Sequence, residues 1–229
     1  MSSTTWGMAR VNWRHNWVAY LIAAIALAGG SVNYVGSFFT NTSDNESVAL
    51  ANYLIVLPVG IALFVCARNF HKLMNLGGTR MDFFRSGWLT FTPAAVVVSA
   101  VMVVLNRTLD PWMVRRGGFA SALDLLDTFG FAGHGVLVAF LQMAAWLIGA
   151  SAFVWTLTLI QGRWYGWAVD VLIIAVISVF TPIPPLRAVL VWFFHLTIFG
   201  PWLLQIVACL VLGAAVYAAS LIPIRSKRL

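Results

Sequence analysis

Apolar residues run through this chain in long blocks, and polar residues gather in the few stretches between them. Blocks at about 17–38, 48–66, 88–105, 136–160, 168–180 and 201–224 carry no charge apart from Asp170. Several exceed the roughly 18 residues that mark a membrane-spanning helix. Apolarity within them is continuous rather than alternating, which predicts helices and not the strands of a membrane barrel. The expectation is an all-α membrane protein with six transmembrane helices in one domain, 1–229.

The fifth block stops early, at the TPIPP sequence of 181–185. Pro182, Pro184 and Pro185 interrupt regular helix there. The apolar piece that follows, 186–199, holds Arg187 and His195 and is too short to span alone. It predicts a re-entrant segment between spans five and six. Upstream of the first block, residues 5–16 mix Trp6 and Trp13 with Arg10, Arg14 and His15. Rings and guanidinium groups together suit the headgroup boundary and predict an interfacial N-terminal helix. No short apolar segment with a small-residue cleavage site precedes it, so the first span is expected to stay in the mature protein.

Composition sharpens this picture. The chain is 61% hydrophobic and 9% charged, with a mean hydropathy of +0.89, whereas a soluble domain is about 25% charged. A net charge of +7 suggests nucleic acid in a soluble protein; in a membrane protein it records cations held in cytoplasmic loops, and no nucleic-acid partner is expected. Six spans with an inner N-terminus place Arg10, Arg14, Arg68, Lys72, Arg80, Arg85, Arg163, Arg225, Lys227 and Arg228 inside, ten of the fourteen cations. Both termini are therefore expected in the cytoplasm, with the chain in the inner (cytoplasmic) cell membrane.

The most informative polar stretch is 67–87. Residues 68–87 read RNFHKLMNLGGTRMDFFRSG, with four cations and a single acid, Asp82. Gly77 and Gly78 suit the left-handed end of a short helix, and Thr79 with Asp82 resembles a capping box for the next one. The first helix is expected to lie in the interface and to offer Phe70, Leu73 and Leu76 to a groove on a soluble partner.

The chain contains no phosphate-cradling G-x-x-x-x-G-K-[ST], no H-E-x-x-H and no G-x-S-x-G, and its four histidines are scattered. Catalysis by this chain, and a metal or cofactor bound to it, are not expected. Within the membrane, Gln142 and Gln205 read as interhelical hydrogen-bond partners. Asp170 reads as a residue near the Trp167 belt that pairs with Arg163 or faces water, or alternatively as the ionisable site of a carrier.

The layout resembles the membrane subunits of bacterial ABC exporters of the second exporter class, a fold shared with polysaccharide-export permeases and with half-transporters of the white family. It covers nearly the whole chain; the motif-level likeness lies within 69–85, where HKLMNLGGTRMDFF combines a leucine-glycine-x-x-arginine stretch with an acid and aromatics. The resemblance implies that Asn69, Phe70, Lys72, Leu73, Leu76, Gly77, Gly78, Thr79, Arg80 and Asp82 form an ATPase-coupling element. It implies that 5–16 is a connecting helix, and that Pro182, Pro184, Pro185, Arg187 and His195 belong to a re-entrant exit gate. Two permeases, identical or related, then work with two soluble ATPase subunits that hold ATP and Mg, and export an amphipathic, drug-like or peptide substrate. The outer loop 106–135 is longer than this family pattern. A non-transporting assembly or immunity subunit, and an ion-coupled carrier using Asp170, stand as other readings.

Overall fold

The computed structural model describes residues 3–40, 47–65, 69–75, 77–117, 122–161, 164–180 and 182–226. They form an almost wholly helical protein. In chain order come α1 (Ser3–His15), α2 (Trp17–Thr40), α3 (Val56–Phe64), α4 (Phe70–Asn75), α5 (Arg80–Gly117), α6 (Leu125–Thr128), α7 (Val136–Ile160), α8 (Trp164–Phe180), α9 (Pro184–Phe194), α10 (Trp202–Ala219) and α11 (Leu221–Ser226). A parallel pair of two-residue strands, Ser47–Val48 and Ala122–Leu123, joins two polar connections. Among the described residues, Arg80–Trp112, Val136–Ile160 and Trp202–Arg225 are long and apolar enough to cross a membrane. α1 and α2, bent by 43° at their junction, pass the same test only when counted together as one broken span. The chain is a helical membrane protein.

The element that sets the scale is α5. Its 38 residues reach about 57 Å at 1.5 Å per residue, nearly twice the hydrocarbon thickness. The expected span 88–105 is thus the middle of a longer helix, which takes in the end of the basic stretch and the outer loop as far as Gly117. Pro93 and Pro111 lie inside it without ending it. Two polar layers grip this helix. Near one end, side chains of α1 bond Asp82 and Ser86; near the other, Asn106 bonds Asp124 and Asp127. Ser86 and Asn106 are twenty residues apart, about 30 Å of helix, which matches the apolar thickness of a bilayer.

The second block departs from a regular span. Leu50–Ile55 winds as a 3-10 helix before α3 begins. Pro58 explains the boundary: proline is tolerated in the first turn of an α-helix, where no N–H is needed, and not deeper. The bend between α1 and α2 is 43°, short of the right angle that a helix lying flat in the interface would make with a span. Two further ends shift. α8 begins at Trp164 rather than 168, and the last block breaks at Ser220 into α10 and α11.

α7 and α10 run parallel, because Gln142 meets Gln205, Gly149 meets Gly213, and Thr156 bonds the Val216 carbonyl at 3.0 Å. The chain must therefore travel back along the bundle between them. α8, about 26 Å long, is the element that can do so. Backbones touch where these helices pack: a Cβ placed on Gly213 would lie 2.9 Å from the Gly149 Cα. Gly213→Val is accordingly expected to lower stability by about 1–3 kcal/mol, read as a lower melting temperature in detergent. Gly29→Ala, which meets nothing within 4 Å, serves as a control that should not destabilise.

Candidate functional site

The basic stretch folds as a short helix, a tight turn and a second helix start. Gly77 stands at φ +83°, a conformation that costs glycine little and other residues more. Its N–H bonds the Met74 carbonyl at 3.0 Å, and the Gly78 N–H bonds the Leu73 carbonyl at 3.1 Å. This is the double bond of a Schellman end, which satisfies the last carbonyls of α4. The Met8 side chain packs where a Cβ on Gly78 would stand. Thr79 then caps α5, its Oγ1 accepting from the Asp82 N–H at 3.1 Å. Half of the expected capping box is present. The Asp82 carboxylate supplies a different second half, accepting from the Thr79 hydroxyl at 2.7 Å.

That carboxylate also joins α1 to the site. The Thr5 hydroxyl donates to Asp82 Oδ1 at 2.6 Å, and both residues are buried. Alongside, Asn12 Nδ2 donates to the Ser86 hydroxyl at 3.4 Å, and Asn69 Nδ2 donates to Asn12 Oδ1 at 3.1 Å. From the far end of the chain, the Arg225 carbonyl accepts from the Arg80 guanidinium. N-terminal helix, basic stretch and C-terminal helix thus meet at one end of the bundle. Beneath them lies an aromatic cluster. Phe70 meets Phe83 edge to face with centroids 5.0 Å apart, and Phe83 stacks on Trp155 at 5.2 Å. The Tyr217 hydroxyl donates to the Phe84 carbonyl and accepts from the Trp88 N–H at 2.8 Å, entering the backbone ladder of α5 between residues four apart.

These contacts correct the expectation that Phe70 and Leu73 face a partner. Both are buried, at 1% and 2% exposure, because the aromatic residues of this chain fill the groove they need. α4 instead presents His71, Lys72 and Asn75 to solvent, and Met81 and Arg85 are exposed beside them on α5. Leu76 lies outside the described residues. Nor does α1 lie free on the interface: Thr5, Met8, Ala9 and Asn12 are buried, and its outer face alone is open.

The other expected site residues lie elsewhere. Pro184 and Pro185 do not simply break a helix; they start α9 at its first positions, where their missing N–H groups cost nothing. Pro182, Arg187 and His195 are exposed. Arg187 and His195 are eight residues apart, about 12 Å along a helix, so they do not form one site. The segment 186–199 is α9 followed by a π-helical turn, His195–Phe199. Gln205 caps that turn, donating from Nε2 to the Thr197 and Ile198 carbonyls at 3.1 and 2.8 Å, next to Pro201, which has no N–H to offer. Gln142 donates in turn to Gln205 Oε1. The two glutamines are interhelical partners, as their residue type suggested. Asp170 is half-buried and accepts from Gln161 Nε2 at 3.1 Å through each oxygen; Arg163, its expected partner, lies outside the described residues.

Thr5 and Asn12 are site residues that the sequence reading did not single out. Their signal is the spacing of Thr5, Met8 and Asn12 on one face of α1, overshadowed by the charged and aromatic residues of the other face. Among the described residues, no group of three or more His, Cys, Asp or Glu is placed to hold a metal ion. Comparison of the chain with family models, with curated proteins and with solved structures finds no match in any of the three.

A double-mutant cycle of Thr5→Val with Asp82→Asn tests the junction. Hydrogen bonds to a charged group contribute about 1.5–3 kcal/mol, so a coupling above about 1 kcal/mol is expected from unfolding in detergent. Additive losses would mean that the carboxylate does not tie α1 to α5.

Proposed function

We propose that the chain is the membrane subunit of an ATP-driven exporter of the second bacterial exporter class, with the exposed face of α4 as the seat of a separate ATPase subunit. One observation carries this reading. α4 ends in a capped turn, the turn runs directly into α5, and Asp82 ties the start of α5 to α1. A displacement of α4 therefore passes into a span without crossing a flexible loop.

On this reading α2, 50–64, α5, α7, α8 and α10 cross the cytoplasmic membrane, and the α1–α4–α11 end faces the cytoplasm. Charge supports the orientation: that end carries Arg10, Arg14, Lys72, Arg80, Arg85 and Arg225, whereas Arg107 and Arg115 lie toward the other end of α5. Two such subunits, identical or related, line the path, and the ATPase pair holds ATP and Mg. α9 and its π turn form the exit gate. The apolar, aromatic character of the spans suits an amphipathic, drug-like or peptide substrate. A carrier driven through Asp170 has less support, because that carboxylate bonds Gln161 at the junction of α7 and α8 rather than standing mid-span.

Lys72→Glu reverses an exposed charge on α4, and Gly77→Val strains its left-handed end. Both variants are expected to insert into the membrane normally. Each should lose about tenfold of the co-purifying ATPase, the equivalent of about 1.4 kcal/mol in binding. Full ATPase retention and undiminished export in both variants would remove the α4 assignment.

A further inference from the structure

We propose that the outer stripe of α1 is a binding site for the phosphate of an anionic phospholipid headgroup, held by Arg10 between the indoles of Trp6 and Trp13. Arg10 lies four residues after Trp6 and three before Trp13, so the three share one helix face. They line an open cavity of about 290 Å³ whose floor is Ala9, a residue small enough to leave room between the rings. Trp6 is 65% exposed and Ala9 2%.

The opposite face of α1 is fixed by the Thr5–Asp82 and Asn12–Ser86 bonds. The cavity is therefore presented outward in one orientation rather than by a freely turning helix.

Charge and depth select the occupant. Arg10 is followed by Arg14 and His15, and α1 contains no acid, so the stripe attracts an anion. The guanidinium fork stays charged and matches two phosphate oxygens. α2, an apolar helix, begins at Trp17, and Trp17 continues the same stripe with 55% exposure. Indoles partition to the headgroup level, which places the cavity where lipid phosphates lie rather than in bulk solvent. The inference needs α1 only at a membrane surface and stands apart from the exporter reading.

Native mass spectrometry of the full chain in detergent, titrated with phosphatidylglycerol, phosphatidylcholine or glycerol phosphate, tests it. Phosphatidylglycerol should be retained in preference to phosphatidylcholine. Arg10→Gln should lower its occupancy about fivefold, the worth of one cation at a lipid surface. Trp6→Ala should also lower it, and Arg85→Gln, which removes an exposed cation elsewhere at the same end, should not. Unchanged binding in Arg10→Gln, or equal retention of the two lipids, would overturn the proposal. So would equal competition by glycerol phosphate, which marks a site for soluble anions. A photo-crosslinker at position 6 that captures protein and no lipid would assign the stripe to a protein partner instead.

Discussion

Everything at one end of this molecule depends on where the Asp82 carboxylate is held. It is buried, it sits in the first turn of the longest helix, and it accepts hydroxyl bonds from Thr5 and Thr79. A buried carboxylate is costly unless satisfied, so the three side chains constrain one another. α1 cannot move away without exposing Thr5 and breaking its bond to Asp82. The turn after α4 cannot unwind without losing the Thr79 cap. A helix of six residues has little stability of its own; here its residues Phe70, Leu73 and Met74 are buried, Phe70 packs on Phe83, and its end is capped by the turn.

The rest of the bundle extends this rigidity over the thickness of a membrane. Polar layers about 30 Å apart on α5 mark where water and headgroups begin, and between them the packing is apolar or, at α7 and α10, backbone against backbone. Buried polar side chains between the layers include Ser99, whose hydroxyl donates to the Ala95 carbonyl, and a glutamine pair. Gln142 and Gln205 bond across helices, and Gln205 also closes the π turn before Gly200 and Pro201. Irregular helix at membrane depth survives where side chains restore the missing backbone partners. α9 has no buried residue at all, so the π turn and its glutamine are what connect it to α10.

Much of the architecture was legible because lipid imposes length and apolarity. α7 coincides end to end with its expected block, 136–160, since no proline or charge lies inside it and glycine precedes it. The double-glycine turn and the Thr79 cap were readable from backbone chemistry alone. The reach of α5 was not. The Thr79 cap announced a helix start, but the span was expected only over 88–105 and 106–117 read as loop, whereas one helix runs from Arg80 to Gly117 and protrudes from the apolar layer on both sides. The inward face of α4 was illegible for another reason. Phe70, Leu73 and Met74 make an apolar stripe that serves equally for a partner or for the core, and the ring that meets Phe70, Phe83, packs in turn on Trp155, 85 positions from Phe70. Asp82 read as half of a local cap; its bond to Thr5 joins residues 77 apart, beyond any local pattern.

In the exporter we propose, this ordered end transmits force from a soluble motor to the spans. Gentle detergent purification of the tagged chain from its native host, followed by native mass spectrometry, addresses it most directly. The expected result is a complex in which a soluble subunit with an ATPase sequence accompanies each copy of the chain. A chain that emerges alone, or only with itself and lipid, would contradict it and leave the α1–α4–α5 junction as a structural anchor.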